Sequence, residues 1–140
     1  MDTVGQFAPT SEAAAREHYE EIGPVAQTVV REVARAMDLP AEEYDERVTS
    51  EVVETARKVL FAGGLTVHVG TREEFEDWLD DRDRADCEVV RLGNENVDNV
   101  VWHDAAVAEA IVAATFQDER DAAVQTLRRQ AFGRYYEAVV

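Results

Sequence analysis

The hydrophobic pattern divides the chain into a helical first part, a strand-like middle and a helical last part. From Ser11 to Gly64 apolar residues recur every three or four positions, which is the period of amphipathic helices. Residues 65–69 read LTVHV, where apolar and polar side chains alternate as in a half-buried strand. Thr71 and Glu74 then form a capping-box pattern, which predicts the start of another helix.

Breaks in the helical first part predict where its helices end. Gly23-Pro24 is expected to end or kink the first helix, because proline supplies no N–H and clashes with the preceding turn. Thr49-Ser50 could interrupt the next helix, and residues 1–10 are expected to be a flexible tail. After Pro24 the predicted apolar side of the helix is spaced four residues apart: Val25, Val29, Val33 and Met37.

Two further strands are predicted in the middle of the chain. After the linker DRDRAD at residues 81–86, CEVVRL and VDNVVWH read as strands that the loop GNEN joins into a hairpin. That hairpin would place Arg91 opposite Asp98 and Cys87 opposite Trp102. With the strand at residues 65–69 and the helix after it, the pattern predicts a β-α-β-β, three-stranded mixed sheet at about residues 65–103.

The last third is predicted to be helical. Asp104 can cap the segment AAVAEAIVAATF, which is apolar on nearly all sides except at Glu109 and Thr115. Such a helix is expected to be buried in the domain or in a subunit interface. A final helix follows Gln117-Asp118. The prediction is a single α+β domain over residues 1–140, with helices from both termini packed on the sheet, and a homodimer.

The charge balance indicates adaptation to a salt-rich cytoplasm. Thirty acidic residues face fourteen basic ones, for a net charge of −16, and Lys58 is the only lysine. In molar salt the Debye length falls to about 3 Å, so this self-repulsion is screened. Valine and alanine number 21 each, against six leucines and two isoleucines. The composition resembles that of halophilic archaeal proteins, and the chain is similar to the small haloarchaeal proteins of unknown function.

A competing interpretation of the charge is a DNA mimic or a binder of a basic partner. Such a mimic needs carboxylates spaced like phosphates on one face, whereas here they are spread along the whole chain. Binding to nucleic acid is not favoured, because phosphate contacts need clustered lysines and arginines. The apolar runs are far shorter than a membrane helix requires. With no basic or apolar leader and a lone Cys87, the chain is expected to be soluble and cytoplasmic.

Two predicted strand-to-helix junctions are candidates for binding an anion. At Trp102-His103-Asp104 the expected helix start would offer backbone donors, His103 a tunable pKa, and Trp102 an apolar wall. Thr71-Arg72 is a similar junction with an arginine at hand, although the capping box already uses its amides. The alternative interpretation makes Trp102 a core residue and Asp104 only a cap.

Other charged groups are candidates for ion pairs or an interface. If Glu109 were buried, it would need a partner, such as one of the arginines of the last helix, or its pKa would rise. Those arginines are expected to form ion pairs with a helix within or between subunits, and the alternative is that they bind an anionic ligand or nucleic acid: Arg128, Arg129 and Arg134. Asn94, Asn96 and Asp98 follow the early spacing of a calcium loop, but the glycine and glutamate that such a loop needs are absent, so no metal is predicted.

No classical catalytic motif occurs in the chain. A P-loop, GxGxxG, HExxH and CxxC are all absent, and no cofactor is predicted. His68, Cys87 and His103 are not expected to converge into a metal site, because the predicted sheet separates His68 from the other two. The favoured function is a non-catalytic interaction or regulatory protein, homo-oligomeric or with a protein partner. The alternative is an enzyme or binding protein for a small anionic ligand at one of the two junctions.

Overall fold

The computed structural model of the chain describes residues 1–81 and 87–140. The helices are α1 (Glu12–Ala36), α2 (Ala41–Arg47), α3 (Ser50–Gly64), α4 (Arg72–Asp81) and α5 (Arg120–Ala131). The strands are β1 (Asp2–Val4), β2 (Val67–Thr71), β3 (Glu88–Leu92), β4 (Asn99–Ala105) and β5 (Ala110–Thr115). A 3-10 turn at Ala106–Ala108 precedes β5, and a π-helical turn at Phe132–Tyr136 continues α5. Of the predicted linker at residues 81–86, all but Asp81 lies outside the described residues.

Helices α1 and α3 each begin at a side chain that accepts a hydrogen bond from an amide of the first turn. The Ser11 hydroxyl accepts from the Ala14 N–H at 3.1 Å, and the Thr49 hydroxyl accepts from the Val52 N–H at 3.2 Å. The predicted interruption at Thr49-Ser50 is therefore confirmed. Gly23-Pro24 does not end α1, however, since the helix continues through both residues to Ala36.

The sheet has five strands in the order β1-β2-β4-β5-β3, rather than the predicted three. Strand β4 runs antiparallel to both β2 and β5, and β3 runs parallel to β5. The α+β class is confirmed, but the predicted β3–β4 hairpin is wrong because β5 lies between these two strands. Arg91 consequently lies opposite Ala113 instead of Asp98, and Trp102 lies opposite Ala113 and His68 instead of Cys87.

The predicted buried helix at residues 105–116 is mainly strand β5. An element that is apolar on all sides can be a buried helix or a central strand covered on both faces, and periodicity alone cannot separate them. Here Ile111 faces one core and Val112 faces the other. Asp104 therefore belongs to β4 and caps no helix, and Glu109 turns the chain into β5 with a φ of 49°.

The N-terminal segment, which the sequence predicts to be a flexible tail, contributes a strand. β1 pairs antiparallel with β2, with Thr3 opposite His68. The Phe7 ring then lies against Gly64, where an added Cβ would be 2.3 Å from it. Short-range sequence patterns do not reveal this pairing, because its partner strand is about 65 residues away.

Two apolar cores lie on opposite faces of the sheet. Helix α4 covers one face, where Phe75 and Trp78 pack against Trp102. Helices α1, α3 and α5 cover the other, with Phe61 buried among the aromatic rings. No helix in residues 1–81 or 87–140 has the length and apolar content that crossing a membrane requires.

Candidate functional site

His103 lies on the α5 side of β4 and is fully buried. Its Nδ1 is 2.6 Å from the Thr66 carbonyl oxygen, and its Nε2 is 2.7 Å from the Tyr136 hydroxyl. A carbonyl can only accept, so Nδ1–H donates to Thr66, and Nε2 accepts from the Tyr136 O–H. This hydrogen bonding fixes one tautomer of a neutral imidazole. Burial lowers the His103 pKa from its ordinary value.

Arg128 adds a charge to the same region. It is 7% exposed, and its Nε–H donates to the Leu65 carbonyl at 2.9 Å. Burial lowers the pKa of Arg128, and burial also raises the pKa of the Tyr136 hydroxyl. Arg128 thus connects α5 directly to the chain that enters β2, and Tyr136 connects the π-helical turn to the same segment through His103.

The anion site predicted at Trp102-His103-Asp104 lacks the helix that motivated it. Trp102 and His103 are 0% exposed and lie in the middle of β4. After Asp104 the chain forms only a 3-10 turn, so a helix N-terminus does not face these residues. A ligand role for the three residues stays a prediction without that support. His68 lies opposite Trp102, the neighbour of His103 in β4, rather than at the far end of the sheet as predicted, but its ring contacts Trp78 and Trp102 on the α4 side.

The second predicted junction, at Thr71-Arg72, is present between β2 and α4. The Glu74 N–H donates to the Thr71 hydroxyl at 3.1 Å, and the Thr71 N–H donates to the Glu74 carboxylate at 3.0 Å. The capping box is therefore confirmed. The Arg72 N–H donates to the Asp98 carbonyl at 2.8 Å. An anion at this junction would have to be bound by side chains, because these amides already have acceptors.

A cavity opens beside Arg72, between α4 and the end of the sheet formed by β5 and β3. Its volume is about 120 Å³. The Arg72 guanidinium donates to the carbonyls of Asn94 and Val97 at 3.1 and 2.8 Å. Arg91 enters from β3, where its guanidinium lies over the Phe75 ring. This arrangement brings two arginines from distant parts of the chain to one cavity.

The asparagine-rich loop forms one wall of that cavity. Gly93 has a φ of 97°, which favours glycine, and an added Cβ there would lie 2.1 Å from the Thr115 hydroxyl. The same hydroxyl accepts from the Asn94 N–H at 2.9 Å, and the Asn94 side chain accepts from the Asn96 N–H at 2.9 Å. Within residues 1–81 and 87–140, histidine, cysteine and carboxylate side chains form no group suited to a metal.

The predicted ion-pair residues do not form one group. Glu109 is exposed, so it does not need the buried partner that the sequence suggested. Arg128 is buried on a backbone carbonyl, whereas Arg129 and Arg134 are exposed on the outer side of the C-terminal helical segment. Cys87 packs in the α4-side core, on the opposite face of the sheet from His103.

Most of the large apolar side chains that are exposed among the described residues lie on α1 and α3 or directly after α1. Six such side chains are between 39% and 65% exposed: Val25, Val29, Val33, Met37, Val52 and Val59. The sequence pattern marks the first four as the packing side of their helix. In the folded chain these four side chains are exposed, and the buried residues of the same part of the helix are Ala26 and Ala34. We call these six residues the α1/α3 surface.

Sequence reasoning missed Arg91 as a cavity residue and Thr66 as the acceptor for His103. Both depend on contacts between residues that are 15 or more positions apart, so a local pattern carries no signal for them.

Comparisons with known proteins match one family. The model of a family described as "Family of unknown function (DUF5809)" matches residues 6–137. No curated protein matches the chain. No solved structure matches it either.

Proposed function

Because the chain belongs to the family of unknown function DUF5809, we propose its function from its surfaces: it is a non-catalytic interaction protein that pairs with a second copy of itself. The observation that supports this proposal most directly is the α1/α3 surface. Among the described residues, seven large apolar side chains are strongly exposed, and six of them lie on these two helices or directly after α1. A concentration of exposed apolar side chains on two neighbouring helices supports a protein–protein interface there.

The charge of the two segments that carry the exposed apolar side chains supports a second copy as the partner. Residues 22–37 contain Arg31, Arg35 and Glu32, for a net charge of +1. Residues 50–64 contain two acidic and two basic side chains, for a net charge of zero. The whole chain carries −16, so the remaining residues carry −17. Two copies therefore approach through the α1/α3 surface with less repulsion than through the rest of the molecule.

We expect a charge placed on this surface to separate the two copies. In sedimentation equilibrium in 2 M KCl, the wild-type protein should have twice the chain mass of 15.7 kDa. The double substitution Val29→Glu with Val33→Glu should raise the dimer dissociation constant by about 100-fold or more, because two carboxylates per copy would be buried without partners.

Gln27→Glu is the matched control for that experiment. Gln27 is exposed on the same helix but lies about 160° around the axis from Val29, so it adds a charge away from the surface. Its dissociation constant should match the wild type. A wild-type chain that stays monomeric at 100 μM contradicts the proposal, as does equal weakening by both variants.

We further propose that the protein works in a high-salt cytoplasm. The charge of −16 supports this, and so do its surface ion pairs, which are mostly exposed and so contribute little to stability. The competing proposal, a mimic of DNA or a binder of a basic partner, would need its carboxylates gathered on one face.

Salt should therefore stabilise the fold. At pH 7.5 the midpoint urea concentration of unfolding is expected to rise steadily between 0.1 and 2 M KCl as repulsion is screened. Near pH 4.4, the isoelectric point, the rise should be much smaller because the net charge is close to zero. Equal stability in 0.1 and 2 M KCl at pH 7.5 would contradict a high-salt adaptation.

A further inference from the structure

The cavity beside Arg72 has a polar side and an apolar side. Its polar lining includes Arg72 and Arg91, and also Asn94, Glu95 and Thr115. Its apolar side is formed by Phe75 from α4 and by Val100 and Ala113 from the sheet. Ala113 is thus a small residue of strand β5 on this apolar side.

Both arginines keep donors beyond the bonds described. A guanidinium has five N–H donors. Arg72 uses its Nη2 for the carbonyls of Asn94 and Val97, and Arg91 uses Nη1 and Nη2 for the Glu76 carboxylate at 2.7 and 3.4 Å. The Arg91–Glu76 pair is nearly half exposed. A pair of this kind is worth at most about 1 kcal/mol, so an incoming carboxylate can compete with Glu76.

Hydrogen bonds from side chains to the loop backbone hold one wall of the cavity in place without a ligand. Thr115 holds Asn94 through its hydroxyl, and Arg72 holds the carbonyls on the other side of the loop. A site that is already formed loses little conformational entropy on binding. The size limits the ligand: at about 30 Å³ per water molecule, a volume of about 120 Å³ holds roughly four waters.

We propose that this cavity binds a short-chain aliphatic carboxylate. The carboxylate accepts hydrogen bonds from the guanidinium groups of Arg72 and Arg91, and the alkyl chain lies on Phe75, Val100 and Ala113. Arginine suits the carboxylate because its planar fork can bind both oxygens. In molar salt the more distant carboxylates of the chain are screened, so these short-range contacts decide what binds. The inference goes beyond self-association and does not depend on it.

Butyrate is the probe, and butyramide is its uncharged match in shape. In 2 M KCl, butyrate added to the ¹⁵N-labelled protein should cause saturable amide shifts at Gly93, Asn94, Ala113 and Ala114, with a dissociation constant in the millimolar range. Butyramide should cause shifts at least ten times weaker. Equal binding of the two, or the absence of saturable shifts from butyrate, overturns the proposal.

Substitutions of two arginines distinguish binding in this cavity from general binding of anions to the protein. Arg91→Gln removes the charge at a half-exposed position, so the fold should persist while the butyrate affinity falls at least tenfold. Arg129→Gln, the control on exposed α5 surface, should leave the affinity unchanged. If both variants bind butyrate as the wild type does, or both lose it equally, the assignment to Arg72 and Arg91 is wrong.

Discussion

Replacing His103 with leucine is expected to destabilise the protein by about 2–4 kcal/mol, because each buried polar group that loses its partner costs about 1–3 kcal/mol. Leucine removes both hydrogen bonds of the imidazole, the one to the Thr66 carbonyl and the one from the Tyr136 hydroxyl. Tyr136 is itself 0% exposed, so water cannot replace the lost partner without opening the core. Urea unfolding at constant KCl concentration measures the loss.

The same residue should give the protein a distinct pH dependence. Burial lowers the His103 pKa, so in acid the unfolded chain binds a proton at this residue before the folded chain does. Stability is then unaffected by His103 above the unfolded pKa of about 6.5, and it is lost as the pH falls from there toward the lowered folded pKa. The slope reaches at most about 1.4 kcal/mol per pH unit for one proton.

The groups around His103 shift its pKa in opposite directions. The Thr66 carbonyl and Asp104 favour its protonated form, whereas burial and the charge of Arg128 oppose it, and burial is the largest of the four effects. His103→Leu should reduce the loss of stability that occurs as the pH falls below about 6.5. The milder Tyr136→Phe removes one donor, should cost about 1–2 kcal/mol, and keeps the titrating group. A leucine variant with wild-type stability and an unchanged pH profile would show that the network does not stabilise the fold.

Replacing Phe61 with alanine is expected to cost about 3–5 kcal/mol, the usual range for removing a buried aromatic side chain. Phe61 is 0% exposed, and four phenylalanine and tyrosine rings from three separate segments lie around it. Their centroids are 5.1–5.7 Å from its own: Phe7, Tyr19, Phe132 and Tyr136. The alanine variant would leave a cavity where the N-terminal segment, α1 and the C-terminal turn meet.

Lys58→Ala is the control for that substitution on the same helix. Lys58 contributes only a half-exposed pair with Glu137, so its loss should cost no more than about 1 kcal/mol. Urea unfolding at constant KCl compares the two variants. Amide exchange in β1 should also speed up in Phe61→Ala alone, because the Phe7 ring loses its neighbour. Similar losses from both variants would mean that Phe61 is not the residue that joins these segments.

Local side-chain chemistry made some elements predictable. Ser11, Thr49 and the Thr71–Glu74 pair bond to amides within three residues of themselves, so the starts of α1, α3 and α4 can be read from the sequence. The candidate site at Thr71-Arg72 could be located for the same reason. Its second arginine could not, because Arg91 reaches the cavity through strand pairing that the sequence pattern predicted incorrectly.

The apolar segment at residues 110–115 shows why the rest was not predictable. A central strand needs apolar side chains on both faces, and a buried helix needs them on all sides, so Ala-Ile-Val-Ala-Ala fits either. A helix at this segment leaves out the strand that lies between β4 and β3, so the pattern pairs these two strands directly, in a hairpin that does not exist. The valines of α1 have a related ambiguity: an apolar stripe indicates a contact surface but does not identify the surface that covers it.

By itself the sequence determined the acidic surface, the starts of α1, α3 and α4, and the α+β class, because each depends on composition or on neighbours within a few residues. Tertiary structure decided the order of the strands, the burial of His103 between Thr66 and Tyr136, the cavity of Arg72 and Arg91, and the exposure of the α1/α3 surface. These depend on contacts between residues far apart in the chain, whose energies are set by which faces become buried together.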